Sequence, residues 1–181
     1  MRSIHEYNWT QTRMNNYLHM KSLFLIRHAK SDWSNDLPDT DRPLNKRGQR
    51  DAPLMAQRLI AHQTLPQLLI SSPANRAHST AVAFAQVLAY PVTQIQNEDA
   101  IYEASVLDLL RVTNLTDDEY DCIALFGHNP GISLFAHYLC HEFTADIPTA
   151  AILQLTFRVE HWNEISIDTG KLAWYSYPKL V

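Results

Sequence analysis

Apolar runs of four to six residues alternate along the chain with stretches whose apolar positions recur every three or four residues. That alternation predicts strands and helices in turn, the signature of a largely parallel sheet covered by helices. A first strand is expected over about Ser22–Arg27, where Leu23-Phe24-Leu25-Ile26 runs unbroken into Arg27-His28. A charged, proline-broken loop follows from Ser31 to Pro43. Asn45 is placed to cap a helix reaching about His62, with Leu54, Met55, Arg58 and Leu59 at helical spacing. Pro53 inside that helix predicts a kink or a late start.

Further along, Leu68–Ser71 reads as a short buried strand and Asn75–Leu88 as an alanine-rich helix opened by Pro73. Pro91–Ile95 reads as a strand, Ser105–Val112 as a short helix, Asp121–Phe126 as a strand and Ile132–Leu139 as a helix. Ala151–Arg158 and Lys171–Tyr177 read as late strands closing the sheet, one of them antiparallel. The expected architecture is a single-domain α/β fold, a mostly parallel central sheet with helices on both faces. Residues 20–181 form the domain and residues 1–19 an extension dispensable for its chemistry.

Bulk properties narrow the partners. The 181 residues fit one domain, and a formal net charge of −4 without a basic stripe argues against nucleic acid. No stretch approaches the ~20 apolar residues that span a membrane, and residues 1–19 lack the apolar core of a secretory signal. Cys122 and Cys140 read as two buried small hydrophobes, which suits a reducing, cytoplasmic setting. Of the four glycines, Gly127 and Gly131 flank His128, and neither G-x-G-x-x-G nor G-x-x-x-x-G-K-[ST] occurs.

The chemistry lies where strands end. Three expected strands run into Arg27-His28, into Ser71-Ser72-Pro73-Ala74-Asn75-Arg76 and into Gly127-His128-Asn129-Pro130-Gly131. Open α/β sheets bind their ligands outside the carboxyl ends of the strands. A phosphoryl group in transfer spreads negative charge over three oxygens, and arginine answers it with a planar, permanently charged fork. Arg27 and Arg76 are therefore candidate phosphate ligands, with His128, if protonated, a third donor. His28 is the candidate nucleophile, a neutral imidazole attacking phosphorus and carrying a phosphohistidine intermediate. Neighbouring cations would hold it neutral. Water completes the reaction, with neither metal nor cofactor.

Arg27-His28-Ala29-Lys30-Ser31, Pro43-Leu44-Asn45-Lys46-Arg47-Gly48, Ser71-Ser72-Pro73-Ala74-Asn75-Arg76 and Gly127-His128-Asn129-Pro130 together resemble the histidine phosphatase (phosphoglycerate mutase-like) superfamily. Ala-Lys-Ser after Arg-His, with the later Gly-His-Asn-Pro, is similar to the SixA-type phosphohistidine phosphatases. The resemblance implies the phosphoglycerate mutase-like fold, phosphorylation of His28, and a phosphate pocket of Arg27, Arg76 and His128. The chain also departs from relatives. Mutases of the superfamily carry Arg-His-Gly-Glu/Gln, where this chain has Ala29 and Lys30; acid phosphatases carry Asp where Asn129 stands. Glu103, in Ile101-Tyr102-Glu103, is the remaining candidate general acid, although a glutamate there equally suits a helix start.

The short stretch between Arg76 and His128 leaves no room for a large cap, which favours a phosphate displayed on a protein surface. Phosphohistidine on a protein is thus the expected substrate, with a small phosphate ester, or phosphoprotein binding without catalysis, as alternatives. Phosphohistidine also releases an imidazole far less basic than an alkoxide, so a weak general acid suffices. Trp33 and the Asp36–Asp41 loop are expected at the pocket's border. Ser34 and Ser31 are weaker phosphate contacts. His137 and His141 near Cys140 are expected to mark a helix end rather than a zinc site. The oligomeric state is not legible.

Overall fold

The structure is a computed structural model that describes residues 20–34, 36–62 and 64–180; the extension expected over residues 1–19 lies outside them. Strand β1 (Lys21–Arg27) is the hub of the sheet. It pairs in parallel with β4 (Cys122–Gly127), which pairs in parallel with β2 (Leu68–Ser71). On its other side β1 meets β5 (Ile152–Phe157), and β5 meets β6 (Gly170–Ser176), both antiparallel. With β3 (Gln96–Asn97) at the far edge, the six strands run in the order β3-β2-β4-β1-β5-β6.

Both faces of this sheet are covered, which explains why β1, β2 and β4 read as unbroken apolar runs rather than alternating ones. Successive side chains of a strand point to opposite faces. Leu23 and Leu25 pack with Leu109, Ile132 and Phe135 from α3 (Val106–Asn114) and α4 (Gly131–Leu139). Phe24 and Ile26 pack with Met55, Leu59 and Phe84 from α1 (Lys46–Ala61) and α2 (Asn75–Val87). Cys122 and Cys140 are buried and unpaired.

One expectation changes and two are refined. Pro91–Ile95 is not a strand: Val92–Gln94 forms a turn of 3-10 helix, and pairing with β2 begins only at Gln96. Pro91 has no N–H to give a ladder, and Ile95 N–H closes the turn on the Val92 carbonyl instead. Both late strands are antiparallel, because β5 and β6 form a hairpin added to the β1 edge. Helix α1 does not start late; it runs from Lys46 through Pro53, its N-terminus fixed by Asn45 Oδ1 accepting from Gly48 N–H at 2.9 Å.

The excursion between β1 and α1 is closed at its base. Ser31 bridges Leu44, Asp32 N–H donates to the Pro43 carbonyl, and Asn45 N–H donates to the Lys30 carbonyl. Gly48 is required at that closure: a Cβ there would stand 2.2 Å from the Lys30 carbonyl oxygen. The first turn of α1 thereby presses on the backbone two residues beyond His28. No helix among the described residues is long and apolar enough to cross a membrane.

Candidate active site

Parallel register brings the three expected strand ends together. Arg27 lies opposite Gly127, and Ser71 opposite Phe126. His28 N–H donates to the Gly127 carbonyl, and Ser72 N–H donates to the Phe126 carbonyl. These ends form the floor of a cleft of about 530 Å³, lined among others by Arg27, His28, Arg76, Glu103 and His128.

His28 Nδ1 lies 2.8 Å from the Ala29 carbonyl oxygen. A carbonyl only accepts, so Nδ1 carries the proton and Nε2 keeps its lone pair. The Ala29 backbone is anchored in turn by its N–H donating to Thr80 Oγ1 from α2. Burial pushes the His28 pKa down to about 4, with Arg76, Arg27 and Lys30 adding to the effect and the Ala29 hydrogen bond opposing it. The cations expected to keep the imidazole neutral do act in that direction, and burial does more.

His128 faces His28 with ring centroids 5.1 Å apart. Its Nε2 is 2.8 Å from Ser72 Oγ, and its buried Nδ1 has no hydrogen-bond partner among the described residues. Burial, with His28, Arg76 and Arg27, lowers its pKa to about 3. The condition attached to His128 as a third donor, that it be protonated, is therefore not met at rest; it meets a ligand as a neutral imidazole, and a phosphate dianion beside it would favour its protonation.

The two arginines are gripped differently. Arg27 donates from Nη1 to the Ile147 carbonyl at 2.7 Å, with Asp146 3.7 Å away, and its Nε is buried without a partner among the described residues. Arg76, 8% exposed, donates from Nη1 to the Asp39 carbonyl oxygen at 2.6 Å and from Nη2 to the Asp39 carboxylate at 2.8 Å. Burial holds both guanidiniums below their usual pKa, opposed at Arg27 by Asp146 and at Arg76 by Tyr102 and Glu103.

Glu103 lines the cleft with its backbone in the left-handed region, φ 52°. Such a conformation in a non-glycine residue costs of order 1 kcal/mol. Ser34 stands elsewhere: it is exposed, and its N–H and hydroxyl both donate to Asp32. Asn129 donates to the Ile147 carbonyl and to Asp146, tying the loop that grips Arg27 to the His128 turn. Gly131 lets that turn approach closely, since a Cβ would meet the Ala104 carbonyl oxygen at 2.5 Å.

Of the expected loop residues, Trp33, Ser31 and Asp39 line the cleft. Sequence reasoning passed over Arg42, which lines it too, and the Ser72 hydroxyl against His128. The signal for Arg42 was present: an arginine beside Pro43 at the end of a loop otherwise rich in aspartate. His137 and His141 stand with rings 5.3 Å apart at the end of α4, and no cluster of three or more His, Cys, Asp or Glu among the described residues could hold a metal ion.

Comparison with known proteins places this geometry. Residues 23–119 match the profile of the histidine phosphatase superfamily (branch 1). An uncharacterized chloroplastic protein of Arabidopsis thaliana is 33% identical over 164 residues, covering 85% of this chain and 74% of its own. Among solved structures, the putative phosphohistidine phosphatase SixA from Nakamurella multipartitia superposes with a TM-score of 0.79 at 20% identity, covering 89% of this chain and 98% of that one. A protein histidine phosphatase SixA complexed with tungstate gives 0.75 at 21% identity, covering 87% and 97%.

Proposed function

The chain belongs to the histidine phosphatase superfamily, and from that membership we propose that it hydrolyses phosphohistidine on proteins, without metal, through a covalent phosphohistidine on His28. The observation that carries the reading is the His28 Nδ1 contact with the Ala29 carbonyl, which leaves Nε2 unprotonated in a cleft that Arg27 and Arg76 also line. In the first step Nε2 forms a bond to phosphorus as the bond from phosphorus to the substrate's imidazole nitrogen breaks, and that nitrogen takes up a proton. One P–N bond replaces another, so the exchange is nearly balanced in energy. In the second step water attacks phosphorus, inorganic phosphate leaves, and His28 regains its lone pair.

Arg27, Arg76 and His128 have the role of binding the phosphoryl oxygens, where fixed positive charge and donors stabilise the charge that develops in transfer. The protein substrate is favoured because α2, β3, α3 and β4, with two turns of 3-10 helix, account for most of the chain between Arg76 and His128 and leave little length for a cap. Glu103 in the cleft favours a second reading, a small-molecule phosphomonoesterase in which Glu103 protonates an alkoxide leaving group. We assign the catalytic domain to residues 20–181, with residues 1–19 dispensable, and place the protein in the cytoplasm, where two free buried thiols persist.

The test compares release of phosphate from a phosphohistidine-bearing phosphotransfer domain, p-nitrophenyl phosphate and a panel of metabolite phosphates, for wild type and His28→Ala. Selective turnover of the phosphoprotein, abolished in the variant, is expected. Turnover confined to small esters moves the assignment to the second reading. Phosphate binding without His28-dependent turnover leaves a phosphoprotein-binding module.

A further inference from the structure

The loop between β1 and α1 contributes a chain of contacts that starts at the surface and ends on a phosphate-pocket arginine. Trp33 is 68% exposed at the rim. The Arg42 guanidinium lies flat on its indole, 3.5 Å from the ring centroid. Arg42 pairs through Nη2 with one carboxylate oxygen of Asp39, while its own Nε is buried without a partner among the described residues. The other carboxylate oxygen of Asp39 accepts from Arg76 Nη2 at 2.8 Å and from the Tyr102 hydroxyl at 2.9 Å. The same segment is fastened to the start of α2 by Asn75 Nδ2 donating to the Asp41 carbonyl.

We infer that Asp39 is a positioning residue for Arg76, and that the Trp33–Arg42 stack holds Asp39 in place. The geometry of the guanidinium supplies the reason. Asp39 occupies the outer edge of the Arg76 fork, Nη1 through its carbonyl and Nη2 through its carboxylate. The inner edge, ending at Nε, is left for a phosphoryl oxygen pair. A fork held by one edge presents the other at a fixed angle, so less rotamer freedom is lost when the anion arrives. Without the carboxylate the same side chain samples several orientations, and a misplacement of about 1 Å in such a clamp weakens binding and rate together.

Asp39 is also a poor competitor for the pocket. Both of its carboxylate oxygens are engaged, by Arg76 and Tyr102 on one and Arg42 on the other, and leaving would break all three contacts. Arg42 offsets its charge locally, so the negative charge beside the phosphate site is small. The indole completes the clasp from outside, shielding one face of the Arg42 guanidinium from water and strengthening its attraction to Asp39.

This inference rests on the cleft being a phosphate site, not on the identity of the phosphoprotein. The experiment titrates inorganic phosphate into the full chain by calorimetry and measures kcat and KM with p-nitrophenyl phosphate, for Trp33→Ala, Trp33→Phe, Asp39→Asn and Asp39→Glu. Trp33→Ala is the decisive variant. It removes no charge, its exposed position favours folding, and the contacts described link the indole to Arg76 through Arg42 and Asp39. Expected is about a three- to fivefold loss of phosphate affinity for Trp33→Ala, recovered in Trp33→Phe, and about tenfold for Asp39→Asn, partly recovered in Asp39→Glu. KM should rise in parallel, with the melting temperature of Trp33→Ala unchanged. Unchanged phosphate affinity in Trp33→Ala overturns the inference, as does tighter binding in Asp39→Asn, which would make Asp39 a competitor. A wild type that binds no phosphate overturns this inference and the phosphate-site reading together; normal binding without phosphohistidine turnover touches only the choice of substrate.

Discussion

The imidazoles of His28 and His128 face each other across the cleft floor with ring centroids 5.1 Å apart and planes tilted by 51°. They follow adjacent parallel strands, and His28 lowers the tendency of His128 to protonate on top of the cost of burial. Their chemical positions differ. His28 has its proton fixed on Nδ1 by the Ala29 carbonyl, while His128 has a buried Nδ1 with no partner among the described residues. In the proposed mechanism one attacks and the other contacts what is attacked.

His28→Ala should abolish turnover, by about 10³-fold or more in kcat, while inorganic phosphate still binds through the arginines. Single-turnover trapping of the phosphoenzyme checks the assignment. Labelled phosphate retained on the variant would move the nucleophile elsewhere.

Arg76→Lys should cost about 10²-fold in kcat/KM, because lysine keeps the charge but loses the fork that Asp39 grips from one side. Steady-state kinetics with p-nitrophenyl phosphate measure it. A loss below threefold would show that point charge alone suffices there.

Acid should destabilise the fold through these histidines. Their folded pKa values, about 4 for His28 and about 3 for His128, lie below the ordinary 6.5. The unfolded chain therefore binds more protons between those values, so their stability contribution is intact above pH 6.5 and declines as pH falls toward 4. Melting temperatures from pH 7 to 4 should fall, less steeply in His128→Asn. Equal slopes for the two proteins would contradict the assignment.

Glu103→Gln should separate substrate classes. Alkyl phosphate esters, which release a basic alkoxide, should slow by about tenfold or more, whereas phosphohistidine protein should change by less than about threefold. Equal losses on both would remove Glu103 as a leaving-group acid and leave it a structural element of the cleft.

Gly48→Ala should destabilise the protein by about 1–3 kcal/mol, since the new methyl group collides with the Lys30 carbonyl and α1 must shift. Denaturant unfolding gives the magnitude. Activity should fall as well, because the displaced backbone follows His28 by two residues; a stable, fully active variant would show that the closure of the loop is not coupled to the site.

Much of this molecule is readable before folding. Leu23-Phe24-Leu25-Ile26 and Ile123-Ala124-Leu125-Phe126 are apolar on both faces, and only a sheet buried on both sides uses such runs, so the α/β class follows from local pattern. The order of Arg27-His28, Arg76 and His128 at strand ends follows equally, because the end of a run is a property of the chain itself. Helix α1 starts at Asn45 for the same reason: a side-chain cap acts within four residues.

The tertiary structure decided what depends on through-space encounters. Whether Pro91–Ile95 paired as a strand depended on what lay beside β2, and whether β5 and β6 ran antiparallel depended on the free edge of β1. Protonation was decided there too, since burial, a quantity no single segment carries, set the neutrality of His28 and His128 more than their neighbouring charges did. The Trp33–Arg42–Asp39–Arg76 chain is the clearest case. Three of its members lie in one irregular loop without periodicity, the fourth lies on α2, and their contacts exist only because that loop folds back across the helix start. Sequence carries short-range order; stacking, shared protons and gripped forks belong to the packed chain.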